Sequence, residues 1–211
     1  MIAAWTAVAD RTRIGAGAAV LDVGCGSGGF CELAAARGAR VHGLDADAGE
    51  IERARRRVPA GDFRVGLMED LPWPDDRFDV VTGFNAFQYA LDVDVALAEA
   101  RRVARPGAPI AICKWGRPQD NELFALLGGG SAPRPPAAGD PIDDAVGRAG
   151  LPVVDSGDVP VALELPDDAA LTAALAAAGA PATLATAERF RRPDGSYRFN
   201  NRLRYLILRV N

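Results

Sequence analysis

Strand-like and helix-like segments alternate over the first half of the chain, and this alternation restricts the fold more than any single residue does. "AAVLDVG" (18–24), "ARVHGLD" (39–45), "DFRVGL" (62–67), "RFDVVTGF" (77–84) and "APIAICKW" (108–115) read as short buried strands. Between them lie the helical patterns "GGFCELAAARG" (28–38), "ADAGEIERARRRV" (46–58) and "DVDVALAEARRVA" (92–104). The first stops at Gly38, the second runs from acid to arginine, and the third is closed by Arg105, Pro106 and Gly107. A glycine ends a helix readily, and that order of charge suits the helix dipole. Strands separated by helices of about ten residues form βαβ units, which require a mostly parallel sheet.

Beyond residue 116 the texture changes. "LGGGSAPRPPAAGDP" (127–141) is rich in Gly, Pro and Ala and reads as a loop, followed by alanine-rich helical segments around 141–149, 167–178 and 181–190. A strand is expected within 151–165. The final stretch, 195–210, sets Tyr197, Phe199, Leu203, Tyr205 and Ile207 on one face against Arg198, Asn200, Arg202 and Arg204 on the other. That alternation marks a half-exposed strand. The arginines at 189, 191, 192, 198, 202 and 204 read as a solvated face rather than as an anion site.

The 211 residues suit one domain, with a core at 15–116 and a variable region at 117–211. A net charge of −4 gives no reason to expect a nucleic-acid or membrane surface, and the monomer-or-homodimer choice stays open. No apolar run approaches the roughly 18 residues of a membrane span, and the start lacks a signal-peptide pattern. Three cysteines without a C-x-x-C pair, and the lone His42, argue against a disulfide framework and against any metal site. The expectation is a reduced, cytoplasmic, soluble protein.

"LDVGCGSGG" (21–29) satisfies both G-x-G-x-x-G and the tighter G-x-G-x-G. The first pattern offers backbone N–H groups to a dianionic pyrophosphate. A carboxylate at the mouth of that loop, Asp22, would repel it. S-Adenosylmethionine instead brings an ammonium beside its sulfonium, and glycines let the backbone approach its methionine portion closely. Asp45, ending the second strand, suits ribose hydroxyls of either ligand. Asp22 therefore favours S-adenosylmethionine over a nicotinamide dinucleotide.

With these residues the chain resembles class I S-adenosylmethionine-dependent methyltransferases, in the small-molecule branch called type 11. The resemblance runs through "VLDVGCGSGGF" (20–30), "VHGLDAD" (41–47), "GLMEDLPWPDDRFDVVTGFNAFQYALD" (66–92) and "ALAEARRVARPGAPIAI" (96–112). It implies a doubly wound, Rossmann-like α/β sheet of seven strands in the order 3-2-1-4-5-7-6, strand 7 antiparallel, with helices on both faces. It also implies a methyl transfer to O, N or C of a small, secondary-type metabolite, with S-adenosylmethionine as cofactor. Asp22, Gly24, Cys25, Gly26 and Gly28 would line its methionine end, Asp45 and Ala46 the ribose, Met68 and Glu69 the adenine. Phe84, Asn85 and Gln88 would face the amino acid portion or the transferred methyl, while Trp5, Tyr89 and Trp115 would wall the substrate. Leu67 and Met68 stand where the family often has Asp-Ala, and Gln88 and Tyr89 where it usually has His-His.

Other readings compete. Cys25 reads as small filler and His42 as a core histidine, since no base or cleft is placed beside either. Tyr89, Gln88 and Asn85 are the catalytic candidates, as orienters rather than bases. Methyl transfer from a sulfonium is an in-line displacement whose donor is already activated, so a base is needed only if the acceptor must lose a proton. A protein that binds S-adenosylmethionine but catalyses a non-methylating step, such as a cyclisation, or merely binds a partner, is the alternative.

Overall fold

The structure is a computed structural model describing residues 1–122, 126, 140–177 and 184–211. Most of the expected loop at 127–141, and residues 178 and 181–183 of the expected helices, lie outside the described residues. Helix α1 (Ile2–Arg11) precedes the alternation β1 (Ala19–Val23), α2 (Gly29–Ala36), β2 (Arg40–Asp45), α3 (Ala48–Arg57), β3 (Asp62–Val65), β4 (Val80–Phe84), α4 (Val93–Val103) and β5 (Pro109–Trp115). Then follow α5 (Pro141–Arg148), β6 (Val153–Leu165), α6 (Asp168–Ala177), the short α7 (Leu184–Ala187) and β7 (Tyr197–Arg209). Helices start where side chains replace missing partners. Asp47 accepts from Gly49 and Glu50, Asp92 from Asp94 and Val95, and Asp140 from Ile142 with Pro141 at the first position.

The strands form one seven-stranded sheet in the order β3-β2-β1-β4-β5-β7-β6, as expected. The pairs β1–β2, β1–β4, β2–β3 and β4–β5 are parallel. Strand β7 runs the other way. Gly107 and Ala108, before β5, exchange bonds with Val210, whereas Gly116, after β5, bonds to Arg202.

The chain divides into two compact units, Met1–Lys114 with Asp140–Gly157 and Arg204–Asn211, and Trp115–Gly139 with Asp158–Leu203. In the first, β1 is buried along its whole length and splits its side chains between two cores. Ala19, Leu21 and Val23 join Leu97 and Ala100 of α4 and Ile142 of α5, while Val20 joins Phe30, Ile51 and Ala54 from α2 and α3. A period of two on a strand covered by helices on both faces yields this near-continuous apolar run. Asp22 shares Val20's face.

In the second unit Leu126, Leu171, Leu175, Ala187, Tyr197 and Phe199 make a small core of their own. Its arginines take the solvated reading, with Glu164 pairing Arg192 and Arg198, and Arg191 reaching Asp168 and Glu188. Among the described residues no helix is long and apolar enough to cross a membrane.

Candidate cofactor-binding site

The carboxyl ends of β1, β2 and β4 meet around a cleft of about 290 Å³ within the first unit. Ligands of open parallel sheets bind at this edge. Its wall brings together seven of the residues the sequence singles out: Gly24, Asp45, Ala46, Met68, Glu69, Asn85 and Tyr89. Leu44, Gly66, Leu67, Ala86, Ala90 and Leu91 complete it.

The glycine loop uses its donors inward. Gly24 and Cys25 both donate to the Leu44 carbonyl (2.8 and 2.9 Å), and Gly26 donates to Asp45 Oδ2 at 2.8 Å. In a planar trans peptide the carbonyl points opposite to the N–H, so Val23, Gly24 and Cys25 turn theirs away from β2. The Cys25 carbonyl accepts from the Gly28 N–H at 3.0 Å, so the N–H groups of Gly24, Cys25, Gly26 and Gly28 are spent within the protein rather than presented as a pyrophosphate site would present them. Gly24 has φ +68°, and a Cβ there would stand 2.5 Å from that of Ala86, so glycine is required on two counts.

Opposite the loop, Asn85 follows β4 in the left-handed region (φ 52°), an uncommon conformation for a residue with a side chain. Its N–H donates to Cys113 O at 2.7 Å, which fixes the turn. Asn85 Oδ1 and Gln88 Oε1 are buried without a hydrogen-bond partner among the described residues. Leaving such oxygens dry costs about 1–3 kcal/mol each, so the site calls for hydrogen-bond donors.

Asp45 engages both oxygens, Oδ2 with the Gly26 N–H of the loop and Oδ1 with the Asp47 N–H of its own turn at 3.0 Å. A carboxylate has roughly four acceptor positions, so two remain for hydroxyls. Glu69 Oε1 accepts from Leu91 (2.6 Å) and Asp92 (3.2 Å), tying the cleft floor to the start of α4.

Asp22 is not on the cleft wall. It lies beneath the loop, 2% exposed, level with Gly43 of β2 and Thr82 of β4, and accepts from the Thr82 hydroxyl at 2.7 Å. Burial pushes its carboxyl up to about 7; the Thr82 bond pulls it down and neighbouring Asp45 raises it. A raised folded pKa contributes stability that is complete below the ordinary carboxylate value and lost as pH climbs through 7. Asp22→Asn, which cannot ionise, is therefore expected to raise thermal stability at pH 8 by about 1–2 kcal/mol, the buried amide's own cost included. The gain should vanish at pH 4. Melting curves at the two pH values check this, and equal shifts at both would refute it.

Gly28 is the left-handed residue before α2 (φ 79°) and packs on Ala54. Trp5 lies on Gly29, its ring edge with Phe84 (centroids 6.5 Å), and Phe84 stacks on Phe30 at 4.5 Å. Both aromatics pack against the core on the α2 side. Tyr89 stands at the cleft rim, 68% exposed, while Trp115 belongs to the second unit. Cys25 is buried, its thiol pushed far up by desolvation and by Asp22 and Asp45. His42 is core: its ring meets Phe78 and Trp73 edge-on, and burial and Arg77 lower its pKa. Thr82, Ala86 and Leu91 went unnoticed in the sequence.

Residues 21–112 match the family model described as "Methyltransferase domain". Over this segment, somewhat less than half of the chain, the protein is similar to methyltransferase domains. Its relatives include a malonyl-[acyl-carrier protein] O-methyltransferase of Serratia marcescens, 36% identical over 115 residues, 54% of this chain and 40% of that protein. A ubiquinone biosynthesis O-methyltransferase of Mesorhizobium japonicum is 32% identical over 116 residues, 53% of this chain and 47% of its own length. The chain thus spans less than half of these two relatives. Among solved structures, a SAM-dependent methyltransferase from Aquifex aeolicus superposes with TM-score 0.62 at 16% identity, covering 98% of this chain and 89% of that one. The [4+2]-cyclase SpnF superposes with TM-score 0.66 at 20% identity, covering 98% and 79%. These two likenesses establish the fold alone. The glycine loop and the segment after β4, which wall the cleft, both lie within the matched residues.

Proposed function

We propose that the chain transfers a methyl group from S-adenosylmethionine to a small-molecule acceptor. The observation that carries this is a cleft whose loop N–H groups at Gly24, Cys25 and Gly26 are spent on β2, while the buried Asn85 oxygen on its wall awaits a donor. An ammonium fits that set and a pyrophosphate does not.

Asp45 would take the ribose hydroxyls, and Leu67, Met68 and Leu91 would flank the adenine. Asn85 and Gln88 would orient the methionine end. When bound, the sulfonium supplies an already activated methyl group. The protein's part is alignment and exclusion of water.

Among the described residues of the cleft wall none stands as a free base. The lone imidazole is locked in the core, the cysteine thiols are pushed up by burial, and Asp45 and Glu69 hold backbone donors. The stretches outside the described residues contain no His, Asp, Glu, Lys, Cys or Tyr. Tyr89 at the rim would orient the acceptor. We further propose a cytoplasmic protein, monomeric or homodimeric, that uses no metal and no nucleic acid.

Calorimetry is expected to show S-adenosylhomocysteine binding in the micromolar range and NAD⁺ not binding. Saturable NAD⁺ binding without S-adenosylhomocysteine binding would overturn the proposal. Incubation with methyl-labelled donor and a metabolite extract then separates methyl transfer, which labels a product, from a non-methylating reaction, which labels none.

A further inference from the structure

The segment from Gly66 to Asp76 carries three residues of the cleft wall, Leu67, Met68 and Glu69, yet it contains no helix and no strand. Such a stretch must find its hydrogen bonds and its rigidity elsewhere. Pro72 and Pro74 fix two of its φ angles. The rest comes from α4. Glu99 and Arg102, one turn apart on that helix, form a bidentate pair, Nε to Oε1 and Nη2 to Oε2, both at 2.7 Å. The pair then takes both polar groups of one residue, as a neighbouring strand would. Glu99 Oε2 accepts the Leu71 N–H and Arg102 Nη2 donates to the Leu71 carbonyl, each at 2.9 Å. Arg102 Nη1 donates to the Trp73 carbonyl and to Asp75 Oδ1, each at 2.8 Å. All the guanidinium N–H groups are thereby spent, a set that a lysine ammonium cannot match. The Pro72 carbonyl, between the two that Arg102 holds, accepts from Arg64.

The other end of the segment is tied to β2, where Gly66 donates to the Asp45 carbonyl at 3.0 Å. Between these two anchors, the N–H groups of Leu67, Met68 and Glu69 have no acceptor among the described residues. Met68 packs on the same core as buried Leu71 and Trp73, so a shift of the clamped residues is passed on to the wall. We propose that Glu99 and Arg102 are positioning residues for base recognition: from outside the cleft they fix Leu71 and Trp73, and thereby hold the unspent N–H groups of residues 67–69 in register with the edge of the donor's purine. This inference rests on the donor reading above. Neither side chain is on the cleft wall. Arg102 instead lines a separate cavity of about 640 Å³, with Asp75, Leu97, Arg101 and Pro106, which gives solutes access to the clamp.

The test compares, by calorimetry, S-adenosylhomocysteine with S-inosylhomocysteine, whose base carries a ring N–H and a carbonyl where adenine carries an acceptor and an amine. The parent should favour the adenine ligand by about tenfold or more, since a backbone donor facing a ring donor leaves both unpaired. Arg102→Ala and Glu99→Gln should bring that preference to within about threefold, by weakening the adenine ligand. Arg102→Lys should fall between. The hole left in Arg102→Ala opens on the cavity, so millimolar guanidinium chloride should restore the preference where sodium chloride at the same strength does not. A merely structural role would weaken both ligands alike, or neither, and leave the preference in place. That result, or a parent without preference, would overturn this inference and leave the donor reading standing. Where Arg102→Ala fails to fold, Glu99→Gln and Arg102→Lys, which fill the same space, decide the matter by the same ratio. Binding of neither ligand by the parent would instead refute the donor reading, and the inference with it.

Discussion

Asp45→Ala is expected to weaken S-adenosylhomocysteine binding by about 100-fold or more. Two losses combine. The carboxylate would make charge-assisted bonds to ribose hydroxyls, worth together about 2–3 kcal/mol, and ~1.4 kcal/mol is a factor of ten in affinity. It also holds the glycine loop through the Gly26 N–H at 2.8 Å and orders its own turn through the Asp47 N–H at 3.0 Å, and backbone freed from these bonds must be ordered again on binding. Asp45→Asn separates the two, because its carbonyl oxygen can still serve one loop donor. Its loss should be the smaller. Calorimetry on the three proteins measures this, with near-ultraviolet circular dichroism to verify the fold. An unchanged dissociation constant for Asp45→Ala would remove Asp45 from the site.

Lys114→Met is expected to cost about 3–4 kcal/mol of folding stability. Lys114, next to last in β5, has its side chain 6% exposed between Asp140 at 2.5 Å and Asp143 at 2.9 Å. Arg204 of β7 joins Asp143 at 2.6 Å. Removing the lysine leaves two carboxylates facing each other across an apolar stem. Breaking a buried pair in this way typically costs about 3–5 kcal/mol, and the carboxylates' partial exposure (41% and 33%) trims that figure. Desolvation raises the Asp143 pKa, but the bonds and charges of Lys114 and Arg204 together outweigh it and hold the carboxyl below its ordinary value. The triple variant Lys114→Met, Asp140→Asn, Asp143→Asn should recover a large part of the loss. Urea unfolding provides the comparison, and a single variant within 1 kcal/mol of the parent would show that the cluster is solvated rather than structural.

The parallel half of the sheet was legible because each signal there is local. Apolar runs stop at glycine, and Asp47 and Asp92 cap helices within three residues of their own position. The glycine loop and Asp45 were legible for the same reason, since the spacing from strand end to strand end is fixed by one βα unit. The depth of Asp22 was not. Two residues ahead of Gly24, Asp22 is expected from sequence at the mouth of the loop, yet period-two alternation on a strand buried on both faces turns it with Val20 toward α2. Thr82 stayed hidden because its bond to Asp22 spans 60 residues and depends on the β1–β4 register. Ala86 and Leu91 look like ordinary apolar residues until a backbone turn at Asn85 brings them to the cleft.

The bond from Glu69 to the start of α4 has a consequence for how the cleft reports on its contents. One carboxylate oxygen holds two backbone amides, those of Leu91 and Asp92, from 22 and 23 residues away. Amides that share an acceptor open to solvent together, and Leu91 is itself 84% exposed. A ligand group that claims Glu69 Oε1 unlatches both at once and quickens their hydrogen exchange as a pair. A ligand that closes over the oxygen without competing for it slows them as a pair. The lip of the cleft thus carries an occupancy signal that can be read at two amides with no label on the ligand.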